Sequence, residues 1–338
     1  MTNHTMKALT FSRYSKVPEY AFMDVPVPTL QPNELLVKVH AAGINPIDNM
    51  IPTGIFKAVL HFQLPATVGS DLAGEIVAVG EKVTAFKPGD FIFASVFDLG
   101  IGSLAEYAAI PEHTASLKPS NLDFVQAASV PMVALTSWQA LKERADIQPG
   151  QKVFIPAGSG GIGTFAIQLA KHFGAYVGTT TSSKNIELVR SLGADTVVDY
   201  KKEAFEATLK DYDLALGTVR GDTIEKSVSI LKRGGKLVSL VGPLDEAFAH
   251  ERKLNFIFKF LFKLMSRKLR KLSAQGNISY SFLFVRPAGN ILSEIAQLLE
   301  NKTITPVVDQ VFPFEQSKEA LAYLAKGHAK GKVVIKIR

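Results

Sequence analysis

Apolar residues follow two different rhythms along this chain. Up to about residue 120 they alternate with polar ones over short runs: Lys7–Phe11, Glu34–Ala42, Gly74–Val79, Phe91–Ala94 and Ala105–Ile110. Period-two alternation predicts half-buried strands. Pro26–Pro32 and Lys87-Pro88-Gly89-Asp90 carry the turn chemistry between them. A helical spacing covers Asp123–Glu143 and leads to an apolar run at Lys152–Ile155. Further apolar runs at Ala175–Thr180, Thr196–Asp199, Tyr212–Leu216 and Lys236–Val241 alternate with helical segments such as Asn185–Leu192 and Asp222–Leu231. Strands buried on both faces and separated by helices predict a doubly wound parallel α/β sheet. Ile278–Val285 reads as its sixth strand, followed by helix Gly289–Glu300 and a short β-rich tail that includes Val333–Ile337. The expected domains are residues 1–122 with 288–338, and residues 123–287.

The first strand of that α/β series runs into Ala157-Gly158-Ser159-Gly160-Gly161-Ile162-Gly163 and then a helix, Thr164–Phe173. Glycines at 158, 160 and 163 have the G-x-G-x-x-G spacing of a dinucleotide pyrophosphate site. The first permits the turn, the second lets backbone approach phosphate, and the third lets helix and strand pack closely. A helix N-terminus then presents N–H groups and partial positive charge to the anion.

The end of the next strand bears on which nucleotide binds. A carboxylate about twenty residues past the glycines commonly holds a free ribose 2′-hydroxyl. Here the chain reads Thr181-Ser182-Ser183-Lys184, and Glu187 is the first acid, already in the following helix. Hydroxyls and an ammonium suit a 2′-phosphate that a carboxylate would repel, which favours NADPH over NADH. Ser183 also suits a helix N-cap, and both roles are compatible.

At 338 residues and 47% apolar content, the chain is long enough for two cores. Met1–Lys7 is polar, and no run of about 18 apolar residues occurs, so neither a signal peptide nor a membrane span is expected. Absence of cysteine excludes disulfides, thiol catalysis and Cys-ligated zinc; a cytoplasmic location is expected. The seven histidines (4, 40, 61, 113, 172, 250 and 328) show no metal-ligand spacing.

The net charge of +7 is concentrated in one place. Eight Lys/Arg and one acid, Glu251, lie between His250 and Leu272; taking these from totals of 38 and 31 leaves 30 of each sign. A local excess of this kind is not a general nucleic-acid signature, and no nucleic-acid partner is expected. Leu254, Ile257, Phe258, Leu261, Leu264, Met265, Leu269 and Leu272 form a helical apolar stripe, broadened by Phe256, Phe260 and Phe262. Three roles fit residues 254–272: a connecting helix with its stripe buried on the sheet, a lid over a hydrophobic substrate, or peripheral contact with an anionic membrane. The phenylalanines also recur at period two, which weakens the helical signal.

The residues Ala41-Ala42-Gly43-Ile44-Asn45-Pro46-Ile47-Asp48, Val68-Gly69-Ser70-Asp71-Leu72-Ala73-Gly74, Phe86-Lys87-Pro88-Gly89-Asp90, Ala157–Gly163 and Gly331-Lys332-Val333-Val334 carry a resemblance over nearly the whole chain. It resembles the medium-chain dehydrogenase/reductase superfamily, and within it the zinc-free quinone oxidoreductase and enone reductase branch. That resemblance implies a GroES-like β-rich catalytic domain plus a six-stranded Rossmann sheet. Zinc alcohol dehydrogenases of the superfamily carry Cys where Asn45 stands and His where Ser70 stands, and Phe97–Leu104 has no four-Cys lobe, so no metal is expected.

By the same resemblance, Asn45 contacts nicotinamide or substrate and Asp48 orders its loop; an Asn-Pro turn with Asp as turn former would use the same residues. Met50 stands where quinone reductases often have Tyr, leaving the proton donor open. Gly54–Gln63 lines the substrate pocket, with Phe56 as a wall and His61 as the one histidine to test as an acid; core packing is the alternative for each residue. Further cofactor contacts are expected at Thr136, Ser159, Gly161, Ile162, Tyr200, Val241, Gly242, Phe284 and Lys332, although a charged strand flank is the preferred reading of Lys332. A homodimer through the sixth-strand edge near Ile278–Phe284 is also implied.

Without a metal, reduction of a C=C bond conjugated to a carbonyl, or of a quinone, is easier than oxidation of an alcohol. Hydride adds to the β-carbon, charge collects on the carbonyl oxygen, and the protein mainly aligns, excludes water and donates hydrogen bonds. A zinc-free alcohol or aldehyde oxidoreductase is the enzymatic alternative. A membrane-associated or RNA-binding relative that keeps the nucleotide fold is the non-enzymatic one.

Overall fold

The computed structural model describes residues 5–338; His4 and the start of the polar Met1–Lys7 stretch lie outside the described residues. The chain divides into two compact units, Met1–Leu135 with Arg286–Arg338, and Thr136–Val285.

The first unit begins with strands β1 (Thr5–Phe11), β2 (Ala21–Pro26), β3 (Glu34–Ile44), β4 (Ala66–Thr67), β5 (Asp71–Val79), β6 (Phe91–Ser95), β7 (Tyr107–Pro111) and β8 (Ala115–Leu117). Every other residue at the start of β3 is buried, so Leu35, Val37 and Val39 enter a core shared with Leu72, Ile76, Ile92 and Ile110. Helix α1 (Pro46–Met50) follows β3 directly, with proline in its first turn where no backbone donor is missed. The predicted helix Asp123–Glu143 is interrupted. It forms α2 (Phe124–Ala128), α3 (Pro131–Trp138) and a wider-turned segment Gln139–Arg144. Pro131 cannot continue the hydrogen-bond ladder of α2, so a new helix starts there.

In the second unit, strands β9 (Lys152–Ile155), β10 (Tyr176–Thr181), β11 (Thr196–Asp199), β12 (Tyr212–Gly217), β13 (Leu231–Ser239) and β14 (Ser279–Phe282) form one sheet in the order β11-β10-β9-β12-β13-β14. Every neighbouring pair is parallel. This order reverses direction between β9 and β12, the place where doubly wound sheets bind ligands beyond their strand C-termini. The helices are α4 (Gly161–His172), α5 (Ile186–Ser191), α6 (Phe205–Thr208), α7 (Thr223–Ser229), α8 (Glu246–Glu251), α9 (Phe256–Met265) and α10 (Arg267–Gln275).

Residues 254–272 are therefore two helices meeting at Ser266, and the reading that buries their stripe on the sheet is corrected. Phe262 is the buried aromatic of α9, whereas Phe256, Ile257, Phe260, Leu261, Leu264 and Met265 are exposed. Phe262 packs on Phe248 of α8, and it is Leu269 of α10 that enters the core of the sheet.

The chain then completes the first unit with α11 (Gly289–Glu300), β15 (Val308–Pro313), α12 (Ser317–Ala325) and β16 (Lys332–Lys336). β16 pairs antiparallel with β3 and parallel with β15 in a sheet ordered β15-β16-β3-β5-β6-β8, with β7 also on β3. The tail thus contains a helix that a β-rich reading omitted. No helix among the described residues is long and apolar enough to cross a membrane.

Candidate active site

Within the first unit, a short run from the end of β3 sets up a buried polar cluster. Asn45 caps α1 in an extended conformation, and its backbone N–H donates to Asp48 Oδ2 at 2.7 Å. That bond satisfies one of the free donors of a helix start and fixes the carboxyl inside the protein. β5, paired with β3 through Gly43 and Asp71, brings in Ser70 and Asp71. β16, paired with β3 through Ile44 and Val333, brings in Lys332.

All five side chains are buried, with exposures from 0% for Asp71 to 5% for Asn45 and Lys332. Asn45 Nδ2 donates to Ser70 Oγ and to Asp71 Oδ2, both at 2.8 Å, and its Oδ1 accepts from the Lys332 ammonium. Lys332 Nζ also donates to the Ile44 carbonyl at 3.1 Å and to Asp71 Oδ2 at 3.3 Å. Asp71 Oδ1 accepts from the Met132 N–H at 2.9 Å, and Ser70 Oγ donates to Asp48 Oδ2 at 3.1 Å.

The charges do not balance if both acids ionise, because two carboxylates face one ammonium. Burial pushes Asp48 up to about 7, with the Asp71 charge adding to the rise and the Asn45 N–H, Ser70 hydroxyl and Lys332 opposing it. Asp71 is also raised by burial, with Lys332 and Asn45 as its main counterweights. Lys332 touches Asp71 directly, so we assign the ionised carboxylate to Asp71 and the shared proton to Asp48. Asp48 Oδ1 is buried and has no hydrogen-bond partner, the position where that proton would reside. Nearby Tyr20 donates to Asn49 Oδ1 at 3.1 Å, and burial with the Asp48 charge raises its phenol well above the usual range.

The second unit holds the glycine-rich turn. Ala157 has φ 55 and Gly160 caps α4. A Cβ on Gly158 would lie 2.2 Å from Thr179 Oγ1, and one on Gly163 would lie 2.4 Å from the Ala157 carbonyl. Strand and helix therefore meet too closely for side chains at either position. A Cβ on Gly160 would meet only the Ala157 carbonyl, at 3.3 Å, so open space adjoins it. Thr181 Oγ1 and Asn185 Nδ2 both donate to Ser159 Oγ, at 2.9 and 3.1 Å, and Asn185 Oδ1 is buried without a partner. Pre-set hydroxyls and a helix start with Ile162 in its first turn fit a nucleotide diphosphate, whereas the unused Asn185 amide oxygen can only accept, as from a ribose hydroxyl.

β10 ends at Thr181, and Ser182, Ser183 and Lys184 follow in a short turn with Ser183 and Lys184 exposed. Parallel pairing sets Asp199 beside Thr181, and Ser183 Oγ donates to Asp199 Oδ2. The Ser183 hydroxyl and Lys202 hold Asp199 below the usual carboxylate range. β10 itself carries no acid at its tip; the neighbouring strand supplies one, and Ser183 and Lys202 engage it.

The remaining expected residues are distributed as follows. Tyr200 is exposed just beyond β11, its N–H on the Thr181 carbonyl at 3.2 Å. Val241 and Gly242 lie past the end of β13, where Ser239 Oγ donates to the Gly242 carbonyl at 2.7 Å. Thr136 is buried in α3. Phe284 packs against Phe248 and Phe282, with the Arg252 guanidinium 4.4 Å from its ring centre. Met50 ends α1, Phe56 is half-buried, and His61 is exposed.

Two expectations change in detail. The polar atoms of the Asn45 side chain are all engaged inside the first unit, so it organises Ser70, Asp71 and Lys332. Lys332, weighed as a phosphate contact or a strand flank, has its ammonium in this cluster. Asp71, Met132, Asn185 and Asp199 were not singled out from sequence. Asp71 lies beside Ser70 in the Val68–Gly74 motif and Asn185 directly follows Lys184, whereas Met132 and Asp199 depend on contacts between distant segments.

Residues 31–120 match the family described as alcohol dehydrogenase GroES-like domain, and residues 192–335 match the one described as zinc-binding dehydrogenase. The chain is 37% identical over 332 residues to the zebrafish (Danio rerio) mitochondrial NAD(P)H oxidoreductase RTN4IP1, covering 90% of this chain and 84% of that protein. It is 35% identical to the chloroplastic NADPH-dependent alkenal/one oxidoreductase of Arabidopsis thaliana, over 98% of this chain and 79% of that one. The structure of the quinone oxidoreductase from Coxiella burnetii superposes with a TM-score of 0.85 at 30% identity, covering 99% and 100% of the two chains. The chain belongs to the medium-chain dehydrogenase/reductase superfamily.

Some families of that superfamily take their names from zinc, and the residues of this medium-chain dehydrogenase/reductase do not fit that ion. Asn45 and Ser70 are neutral, the Asn45 amide turns N–H donors toward the cluster, and the Lys332 ammonium already lies against Asp71. Among the described residues no three His, Cys, Asp or Glu converge to hold a metal.

Proposed function

We propose that this protein is an NADPH-dependent, zinc-independent reductase of the activated C=C bond of α,β-unsaturated carbonyls, or of quinones. The observation that carries this reading is the buried Asn45–Asp48–Ser70–Asp71–Lys332 hydrogen-bond network, in which the neutral Asn45 and Ser70 stand where the resemblance places zinc ligands. The relatives named for alkenal/one and quinone substrates support the substrate class.

Bound NADPH would supply the hydride. The second unit would hold the nucleotide through the Gly158–Gly163 turn and Ser159, with Lys184, Ser182 and Tyr200 available to a 2′-phosphate. Asp71 and Lys332 form a neutral pair that keeps Asn45 and Ser70 fixed. Asp48, raised to about 7, keeps a proton near neutral pH. When hydride reaches the β-carbon, electrons of the C=C bond move toward the carbonyl oxygen, and one proton completes the saturated carbonyl. Asp48 stores that proton and regains it from water. A group titrating near the operating pH does this most efficiently. Neither step requires a Lewis acid.

The assembly we propose is a homodimer through β14. It is the edge strand of the six-stranded sheet, with one side of its backbone unpaired by that sheet.

The test is a paired assay on purified protein: NADPH consumption with an enone and with a quinone, and NADP⁺ reduction by primary and secondary alcohols. The proposal expects turnover in the first arm. Activity with alcohols alone refutes it.

A further inference from the structure

We propose that α9 and α10 form a docking surface for an anionic phospholipid bilayer. This surface lies in the second unit, away from the glycine-rich turn in sequence, and the proposal does not depend on the reductase reading.

α9 has three faces. Phe258 and Phe262 turn inward, the latter buried against Phe248 at a ring-centre distance of 6.1 Å. Phe256, Phe260 and Leu264, four residues apart, share a second face with Ile257, Leu261 and Met265. That face is exposed: Phe256 is 78% accessible and Phe260 69%. Lys259 and Lys263 lie along one edge. Isolated exposed apolar residues are ordinary, but six on one helical face are a contiguous patch that marks an interaction site.

The charge around the patch selects its occupant. Between Arg252 and Gln275 there are eight Lys/Arg and no acid. Arg267, Lys268, Arg270 and Lys271 are all exposed on α10, while Leu269 and Ser273 face inward. Ion pairs of Lys268 with Glu225 at 2.6 Å and Lys263 with Glu246 at 4.0 Å offset part of this charge. Lys263, Arg267, Arg270 and Lys271 also line an open groove of about 770 Å³ beside Phe260 and Leu264. The groove also includes Glu246, the partner of Lys263, and Asp245, whose carboxylate is engaged by the N–H groups of Phe248 and Phe282 at 2.8 and 3.0 Å.

An aromatic and leucine face edged by cations matches the interfacial zone of a bilayer, where apolar side chains sink below anionic headgroups. A protein partner would need matching acids around an apolar centre, and a second copy of this chain would set like charges against each other. No helix here crosses a membrane, so the contact is peripheral.

The experiment is co-sedimentation of the purified full-length protein with large unilamellar vesicles. One set is phosphatidylcholine and the other contains roughly a third phosphatidylglycerol; each nearby cation strengthens binding to an anionic surface by about fivefold. The proposal expects binding to the anionic vesicles at least tenfold tighter than to the neutral ones, weakening as salt rises. The triple variant Phe256→Ser/Phe260→Ser/Leu264→Ser and the separate variant Lys259→Glu/Arg267→Glu/Lys271→Glu should each lose at least tenfold of that affinity. Five of the six side chains are exposed and Lys259 is half-buried at the edge of α9, and unchanged NADPH binding confirms that each variant is folded. The proposal is overturned by equal binding to both vesicle types, by no binding, or by binding that survives both variants. It is also overturned if the serine variant lowers the molecular mass in solution without vesicles, which would make the patch a contact between copies.

Discussion

Replacing Asp48 with Asn separates the shape of this carboxyl from its charge. The amide oxygen can still accept from the Asn45 N–H and Ser70 Oγ, and the amide nitrogen occupies the position of Oδ1, which has no partner. Burial moves Asp48 from 3.8 to about 7, so the folded protein keeps a proton that the unfolded chain has released. A carboxyl raised on folding contributes stability that is complete below its ordinary pKa. That stability declines as pH rises and is lost above the folded pKa. The groups facing it are Asp71, which raises it further, Lys332, which opposes the rise, and Tyr20. At about 1.4 kcal/mol per unit, the rise is worth about 4 kcal/mol in total. Between about pH 5 and 8 the Asp48→Asn variant should gain roughly 3 kcal/mol on the native protein. Urea unfolding of both proteins across that range measures the difference, and groups common to both cancel. Parallel profiles, agreeing within about 0.5 kcal/mol at every pH, refute the buried-proton argument. The same variant should reduce enones roughly 10²-fold more slowly and lose the fall in kcat above neutral pH.

Other substitutions probe the rest of the account. Lys332→Met leaves the fully buried Asp71 without its cation and should cost about 3–5 kcal/mol by urea unfolding; combining it with Asp71→Asn should recover at least half. A double variant no more stable than Lys332→Met would show that the pair is not coupled. Lys184→Glu should weaken NADPH binding at least tenfold and NADH binding little, as measured by fluorescence titration, because only NADPH carries the additional phosphate. Equal losses for both nucleotides would remove the 2′-phosphate assignment. Gly163→Ala places a Cβ 2.4 Å from the Ala157 carbonyl, so it should lower thermal stability by about 1–3 kcal/mol and abolish saturable NADPH binding. Unchanged binding would contradict the close helix–strand packing.

The six-stranded parallel sheet was legible because doubly buried strands such as Phe154-Ile155 and Leu214-Ala215-Leu216 leave continuous apolar runs between helical spacings. Edge and surface strands were harder to read. β2 and β15 have no fully buried side chain and include proline, so neither shows clean alternation. α12 was missed in a tail read as β-rich. The glycine turn was visible because its spacing is local. The buried cluster was visible only in part, since Asn45 and Asp48 share one loop while Lys332 reaches them across 287 residues through the pairing of β16 with β3. Likewise the acid at the tip of β10 comes from β11. The stripe of α9 was legible as a pattern, but its exposure was not, since periodicity gives a face without saying what covers it.

The most direct test of the central claim follows the hydride itself. An enone is incubated with NADPH deuterated at the transferring C4 position, and the product is examined by NMR. The account predicts one deuterium on the former β-carbon, a solvent-derived hydrogen on the α-carbon, and unchanged turnover in the presence of a zinc chelator. Deuterium on the carbonyl carbon, or loss of activity on chelation, would contradict it.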